Sequence, residues 1–180
     1  MALSATIYNF EIQLADADRN VYETLALRVA RHPSESAEFL FARLLAYCLE
    51  YTEGLAFSSG GLSDTDAPAL AVRDLTGALQ KWIEVGTPEA ARLHKASKAA
   101  PQVAVYPHRD AEAWLERIRG EKIHRAAELE VNAIDGELLA SLAGKIERRM
   151  KLDISVSDRH LYITVGDETL SAVIEQRGLS

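Results

Sequence analysis

Apolar and polar residues alternate singly at both ends of the chain and recur every three or four positions in stretches between them, a pattern that predicts a mixed α/β protein. Near the start, Tyr8, Phe10 and Ile12 fall on one side and Ile7, Asn9 and Glu11 on the other, the two-residue period of a strand. The run ends at the acidic turn Asp16-Ala17-Asp18-Arg19-Asn20, and a second run from Thr24 to Arg31 places Leu25, Leu27 and Val29 on one face. The two runs predict an antiparallel hairpin, although Ala26 and Ala30 leave a helix open for the second. After Pro33, the residues Leu40, Phe41, Leu44, Leu45, Cys48 and Leu49 return at helical spacing, with Ser34 as the expected N-cap.

Beyond Gly54, Leu55 to Ser58 reads as a short strand, and the Ser/Gly stretch 58–66 as a loop. That loop lacks the Gly-Lys-Ser/Thr ending of a phosphate cradle. Ala69 to Val85 predicts two strands joined around Leu75-Thr76-Gly77. Thr87 as N-cap, Pro88 in the first helical position and Glu89 in the first turn then predict a helix carrying Arg92, Lys95 and Lys98 on one face. A strand at 102–106, a helix from about Asp110, a strand within 127–134 and a helix capped by Asp135 follow. The tail predicts an antiparallel meander in which Leu152, Ile154 and Val156 oppose Leu161, Ile163 and Val165. No repeat or long linker interrupts the 180 residues, so one domain is expected over 1–180, its 48% apolar content sufficient for a core.

Composition narrows the chemistry. Cys48 is the only cysteine and sits among leucines, which predicts a core residue and excludes a disulfide or a thiolate metal centre within the chain. The five histidines show no His-Glu-Xaa-Xaa-His spacing. There is no signal-like start and no run of ~20 apolar residues, so the expectation is a cytoplasmic protein without a membrane partner. A net charge of −7 argues against tight nucleic-acid binding, because affinity for phosphate backbones comes from lysine and arginine; a local basic strip remains compatible with it.

Against that background, Glu35, Asp66, Glu84 and Lys95 stand out as a set: three acids and an ammonium are the side chains that a Mg²⁺- or Mn²⁺-dependent phosphodiesterase needs, oxygen ligands for a hard cation and a positive group for the developing charge. Each also has a simpler explanation. An acid at a helix start is favoured by the dipole, Asp66 lies in a polar loop, and the basic stripe reads equally as a solvated helix face. Glu84 is harder to dismiss, since it ends an apolar strand and wants a metal or a partner such as Arg92 or Lys95. His32, beside Glu35, reads as a proton carrier or as a packing residue next to Pro33.

The central order of helix, three strands, helix and strand resembles the restriction-endonuclease-like, or PD-(D/E)XK, core. Over nearly its full length the chain is similar to the YaeQ family. The stretches carrying this are Ala30-Arg31-His32-Pro33-Ser34-Glu35, Asp66-Ala67-Pro68, Trp82-Ile83-Glu84-Val85-Gly86-Thr87-Pro88 and Arg92-Leu93-His94-Lys95-Ala96. The resemblance implies an αβββαβ core with an N-terminal hairpin and a C-terminal β-meander added to it. It also implies that Asp66 and Glu84 hold Mg²⁺, with the Val85 carbonyl as a further ligand. Glu35 would be the auxiliary acid on the metal and its water, and Arg31, Arg92 and Lys98 would hold backbone phosphates. The motif lysine is absent, because Gly86 stands in its place; Lys95 has to reach in from the next helix, while Lys81 points to the opposite face of the strand. The function implied is a metal-dependent nuclease. Its alternative is a catalytically inactive, nuclease-fold binding or regulatory protein linked to transcription.

Overall fold

The computed structural model describes residues 4–58 and 66–179, so most of the Ser/Gly loop lies outside the described residues. The described residues form two sheets and four α-helices. One sheet contains β1 (Thr6–Asp16), β2 (Val21–Arg31), β8 (Arg149–Ser157), β9 (His160–Val165) and β10 (Glu168–Val173), in the order β10-β9-β8-β1-β2. The other contains β3 (Leu55–Phe57), β4 (Leu70–Arg73), β5 (Leu79–Val85), β6 (Gln102–Tyr106), β7 (Glu130–Ala133) and β11 (Glu175–Arg177), in the order β11-β7-β6-β5-β4-β3.

The predicted hairpin forms with Phe10 opposite Leu27 and Ile12 opposite Leu25, and the tail meander forms with Ile154 opposite Ile163 and Val156 opposite Leu161. These are not two separate additions, as the sequence suggested. β1 runs parallel to β8, with Ile12 beside Leu152 and Leu14 beside Ile154, and joins both ends of the chain in one sheet. In the second sheet β5, β6 and β7 are mutually parallel. Their crossovers are α2 (Ala90–Ala99) and α3 (Ala111–Ile118).

Helices α1 (Ala37–Leu49) and α4 (Gly136–Ala143) pack in the main core, between the inner face of the first sheet and the Ile83, Val85, Ala104 and Tyr106 face of the second. This position explains why α1 is covered on most sides and buries Phe41, Ala42, Leu44, Leu45 and Ala46 together, with Arg43 among them. The opposite face of the second sheet, with Trp82, Val103, Val105 and Val131, packs on α2 and α3 and forms a second core. Alternation along β5 therefore sends Trp82 and Glu84 toward α2, and Lys81, Ile83 and Val85 toward α1.

Several local expectations are corrected. Ser36, not Ser34, caps α1, its hydroxyl accepting from the Phe39 amide at 3.1 Å; Ser34 instead turns back to His32. Helix α2 begins at Ala90 with Glu89 as its cap, so Thr87 and Pro88 precede it; the Pro88 carbonyl accepts from Trp114 Nε1 at 2.8 Å, which holds the chain extended there. The strand within 127–134 is only β7, preceded by a 3₁₀ turn at Ala126–Glu128. Asp135 does cap α4, accepting from the Glu137 amide. Gly54, at φ +92°, lies so close to the Arg73 carbonyl that a Cβ would stand 2.1 Å from it, which leaves glycine as the only residue for that turn.

Candidate functional site

The sequence picks four residues, and the structure places them in two locations. Glu35 sits just before α1, 3% exposed. Arg43 grips both of its oxygens, through Nε at 2.6 Å and Nη2 at 2.8 Å, and the His32 amide adds a third bond at 3.1 Å. Arg43 also reaches the Ala30 carbonyl and stacks on Phe57. Arg31, expected on phosphate, donates to the Glu35 carbonyl and the Tyr8 hydroxyl. The His32 ring bonds to Ser34. These residues tie the end of β2 to the start of α1.

Glu84, Asp66, Arg92 and Lys95 come together on the α2 side of the second sheet. Glu84 is buried; Oε1 accepts from Trp82 Nε1 and Oε2 from Arg92 Nε, each at 2.7 Å. Arg92 lies over the Trp82 ring and donates from Nη2 to the Ala67 carbonyl at 2.7 Å, so its guanidinium spans from Glu84 to the residue following Asp66. Lys95 Nζ meets Asp66 Oδ1 at 2.8 Å, but both side chains are largely exposed. The hydrogen bond from Lys95, and then its charge, hold the Asp66 carboxyl below the ordinary carboxylate range.

Glu35 is therefore not gathered with Asp66 and Glu84. Among the described residues no three His, Cys, Asp or Glu side chains cluster so as to hold a metal ion. The donor set around Glu84 does not fit Mg²⁺: a hard cation needs open oxygens, and here both are engaged by N–H donors, one of them a permanent cation. Position 86 is suited to glycine. At φ +108° it disfavours any side chain, and a Cβ there would come within 3.2 Å of the Phe39 ring.

A second polar cluster escaped the sequence reading. On the α1 face, Lys81 Nζ lies 2.7 Å from both Glu50 Oε1 and Glu130 Oε2, and the Tyr106 hydroxyl donates to Glu50 at 2.5 Å. Burial opposes the Lys81 ammonium, but the Glu50 and Glu130 carboxylates outweigh it and raise its pKa. Burial, reinforced by Glu50, pushes the Tyr106 hydroxyl well above its ordinary range. The one available signal was Lys81 itself, a charge inside an apolar strand and out of phase with Glu84.

The architecture defines a mixed α/β protein with two mixed sheets, one of them crossed by two parallel β-α-β connections. The chain belongs to the YaeQ protein family, whose profile matches residues 1–174. It is 35% identical over 166 residues to the YaeQ protein of Escherichia coli K12, covering 91% of each chain, and 36% identical to that of Salmonella typhi over the same length. The crystal structure of YaeQ from Xanthomonas axonopodis pv. citri superposes with a TM-score of 0.89 at 31% identity, covering 97% of this chain and 99% of that one. YaeQ from Pseudomonas syringae superposes at 0.84 and 33% identity, covering 98% and 96%. No helix among the described residues is long and apolar enough to cross a membrane.

Proposed function

We propose that this chain binds phosphodiester backbones on a nuclease-type core without hydrolysing them. The run α1, β3, β4, β5, α2, β6 has the αβββαβ order of that core, which supports the fold half of the reading. The observation that carries the loss of turnover is Arg92, whose guanidinium takes one Glu84 oxygen and reaches the Ala67 carbonyl, the space in which hydrolysis would need its cation. A guanidinium stabilises charge but cannot generate a metal-bound hydroxide.

The binding half rests on a basic strip at the outer edge of α2. His94 and His124 approach edge to face, and desolvation, followed by the charges of Lys98, His124 and Lys122, holds His94 below the ordinary histidine range. Such a strip gives a chain of net charge −7 one surface that releases counterions from a phosphate backbone.

The test uses purified full-length protein with DNA and RNA, single- and double-stranded, in Mn²⁺, alongside fluorescence anisotropy in rising salt. The expected result is intact substrate and binding that weakens with salt, lowered at least fivefold by the double variant Lys98→Glu, Lys122→Glu. Mn²⁺-dependent cleavage that disappears in Glu84→Ala overturns the non-hydrolytic half; binding indifferent to salt and to the double variant overturns the other.

A further inference from the structure

A cleft of about 480 Å³ opens where the tips of the first sheet meet the α1 face of the second, beyond the C-terminal end of α1. It lies across the second sheet from Glu84 and Arg92, and its volume falls within the ~300–1,000 Å³ of small-molecule sites. Its walls carry both signs of charge. Asp16, Asp18, Glu50 and Glu130 supply four carboxylates, and Arg19, Lys81 and Arg159 three cations.

Most of these groups are already engaged. Arg19 bonds Asp16 at 2.8 Å and two backbone carbonyls, Arg159 bonds the Asn132 amide oxygen at 2.8 Å, and the two Asp18 oxygens receive the amides of Asp158 and Arg159. The ion pair that retains open valences is Lys81 with Glu130. Two of the three ammonium donors of Lys81 meet Glu50 and Glu130, and the Glu130 side chain is 42% exposed. A lysine this enclosed is costly to keep charged, and an apolar residue in a strand would be cheaper if packing were its only task.

We propose that this cleft binds a small zwitterion of the α-amino acid type, its head group lying antiparallel to the Lys81–Glu130 pair. A plain anion would face four carboxylates, and a plain cation would face three basic side chains; a molecule with both poles on one carbon complements a pair whose own charges stand 2.7 Å apart. The carboxylate takes the remaining Lys81 donor, the ammonium takes the open Glu130 oxygen, and the four charges alternate around a ring. Amide side chains at Gln102 and Gln176 edge the cleft, and an apolar strip at Leu49, Val72, Val156 and Ile174 is available to the ligand's body. This site does not rest on the phosphate-binding reading, since it uses none of the same residues.

The experiment is isothermal calorimetry and thermal-shift measurement on the full chain, with the common α-amino acids as probes. For the best binder, the N-acetylated and carboxamide analogues each remove one pole. We expect at least one zwitterion to bind saturably, both analogues to bind at least tenfold more weakly, and Glu130→Gln to weaken the zwitterion tenfold while still unfolding cooperatively in the absence of ligand. Should Glu130→Gln fold poorly, Gln102→Leu at the cleft edge is the second variant, with at least a threefold loss expected. Binding by none of the probes at millimolar concentration, equal binding of the single-pole analogues, or unchanged affinity in the folded variants overturns the proposal.

Discussion

Two acid–base pairs of this fold, Glu35 with Arg43 and Asp66 with Lys95, have opposite physical characters. The first is sealed at the head of α1, with side chains no more than 6% exposed, a two-point guanidinium grip and an added backbone amide. The second joins two side chains that both face solvent, 56% and 85% exposed. Burial removes the competition of water, so the first pair has a fixed geometry and a large cost of separation, whereas the second exchanges with solvent and salt. Glu84 with Arg92 falls between them, with its carboxylate buried and its guanidinium 29% exposed. Fixed charge thus belongs to the interior of this fold, and adaptable charge to the α2 edge.

The largest expected effect comes from breaking the sealed pair. Glu35→Ala strands the Arg43 guanidinium in the interior and is expected to cost about 3–5 kcal/mol in urea unfolding. The double variant Glu35→Ala, Arg43→Met should recover part of that loss, because no unpaired charge remains. Recovery would distinguish a penalty of the stranded charge from a cavity effect; a single-variant loss below about 1 kcal/mol would contradict the sealed environment.

Cys48 tests the same interior by pH. Burial pushes its thiol from an ordinary 9.0 to about 12. The folded pKa exceeds the unfolded one, so the thiol's contribution is fully present below pH 9 and is lost as pH rises from 9 toward 12. The stability of wild type should fall more steeply over that window than that of Cys48→Ala, with a difference on the order of 1 kcal/mol per pH unit. Glu84→Ala is expected to cost about 1–3 kcal/mol, since it leaves the buried Trp82 N–H without its acceptor but allows Arg92 to turn toward solvent.

How much of this was legible in the sequence follows from how local each signal is. The hairpin, the meander, α1 and the Asp135 cap are written in alternation, helical spacing and capping chemistry within a few residues. The parallel pairing of β1 with β8 depends on segments some 140 residues apart and leaves no local mark. The Ser36 cap was missed because Ser34 also fits the preference, and only the Glu35–Arg43 grip decides between them. For the site, the nearness of Asp66, Glu84, Arg92 and Lys95 was readable, as was a basic partner for Glu84 on the next helix; the choice of Arg92 over Lys95 was not. The separation of Glu35 was not, since it depends on which layer of the fold covers the start of α1. The Lys81 cluster was hidden for a related reason: Glu50 and Glu130 reach it from a helix end and a distant strand.

The smallest expected effect is also the one that separates surface electrostatics from function. Lys95→Ala removes one partner of Asp66, yet two exposed side chains contribute so little against water and side-chain entropy that the unfolding midpoint at neutral pH should stay within error of wild type. The acid side carries the sign. Lys95 depresses the folded Asp66 carboxyl, so whatever the pair contributes is present above the unfolded pKa and lost as pH falls through the folded one; wild type and Lys95→Ala should therefore converge at low pH. The same variant should weaken DNA binding modestly and flatten its dependence on salt by about one unit of slope, the signature of one fewer phosphate-facing cation. A clear loss of stability would instead make Lys95 a structural tie and move the α2 edge into the same class as the sealed pair at α1.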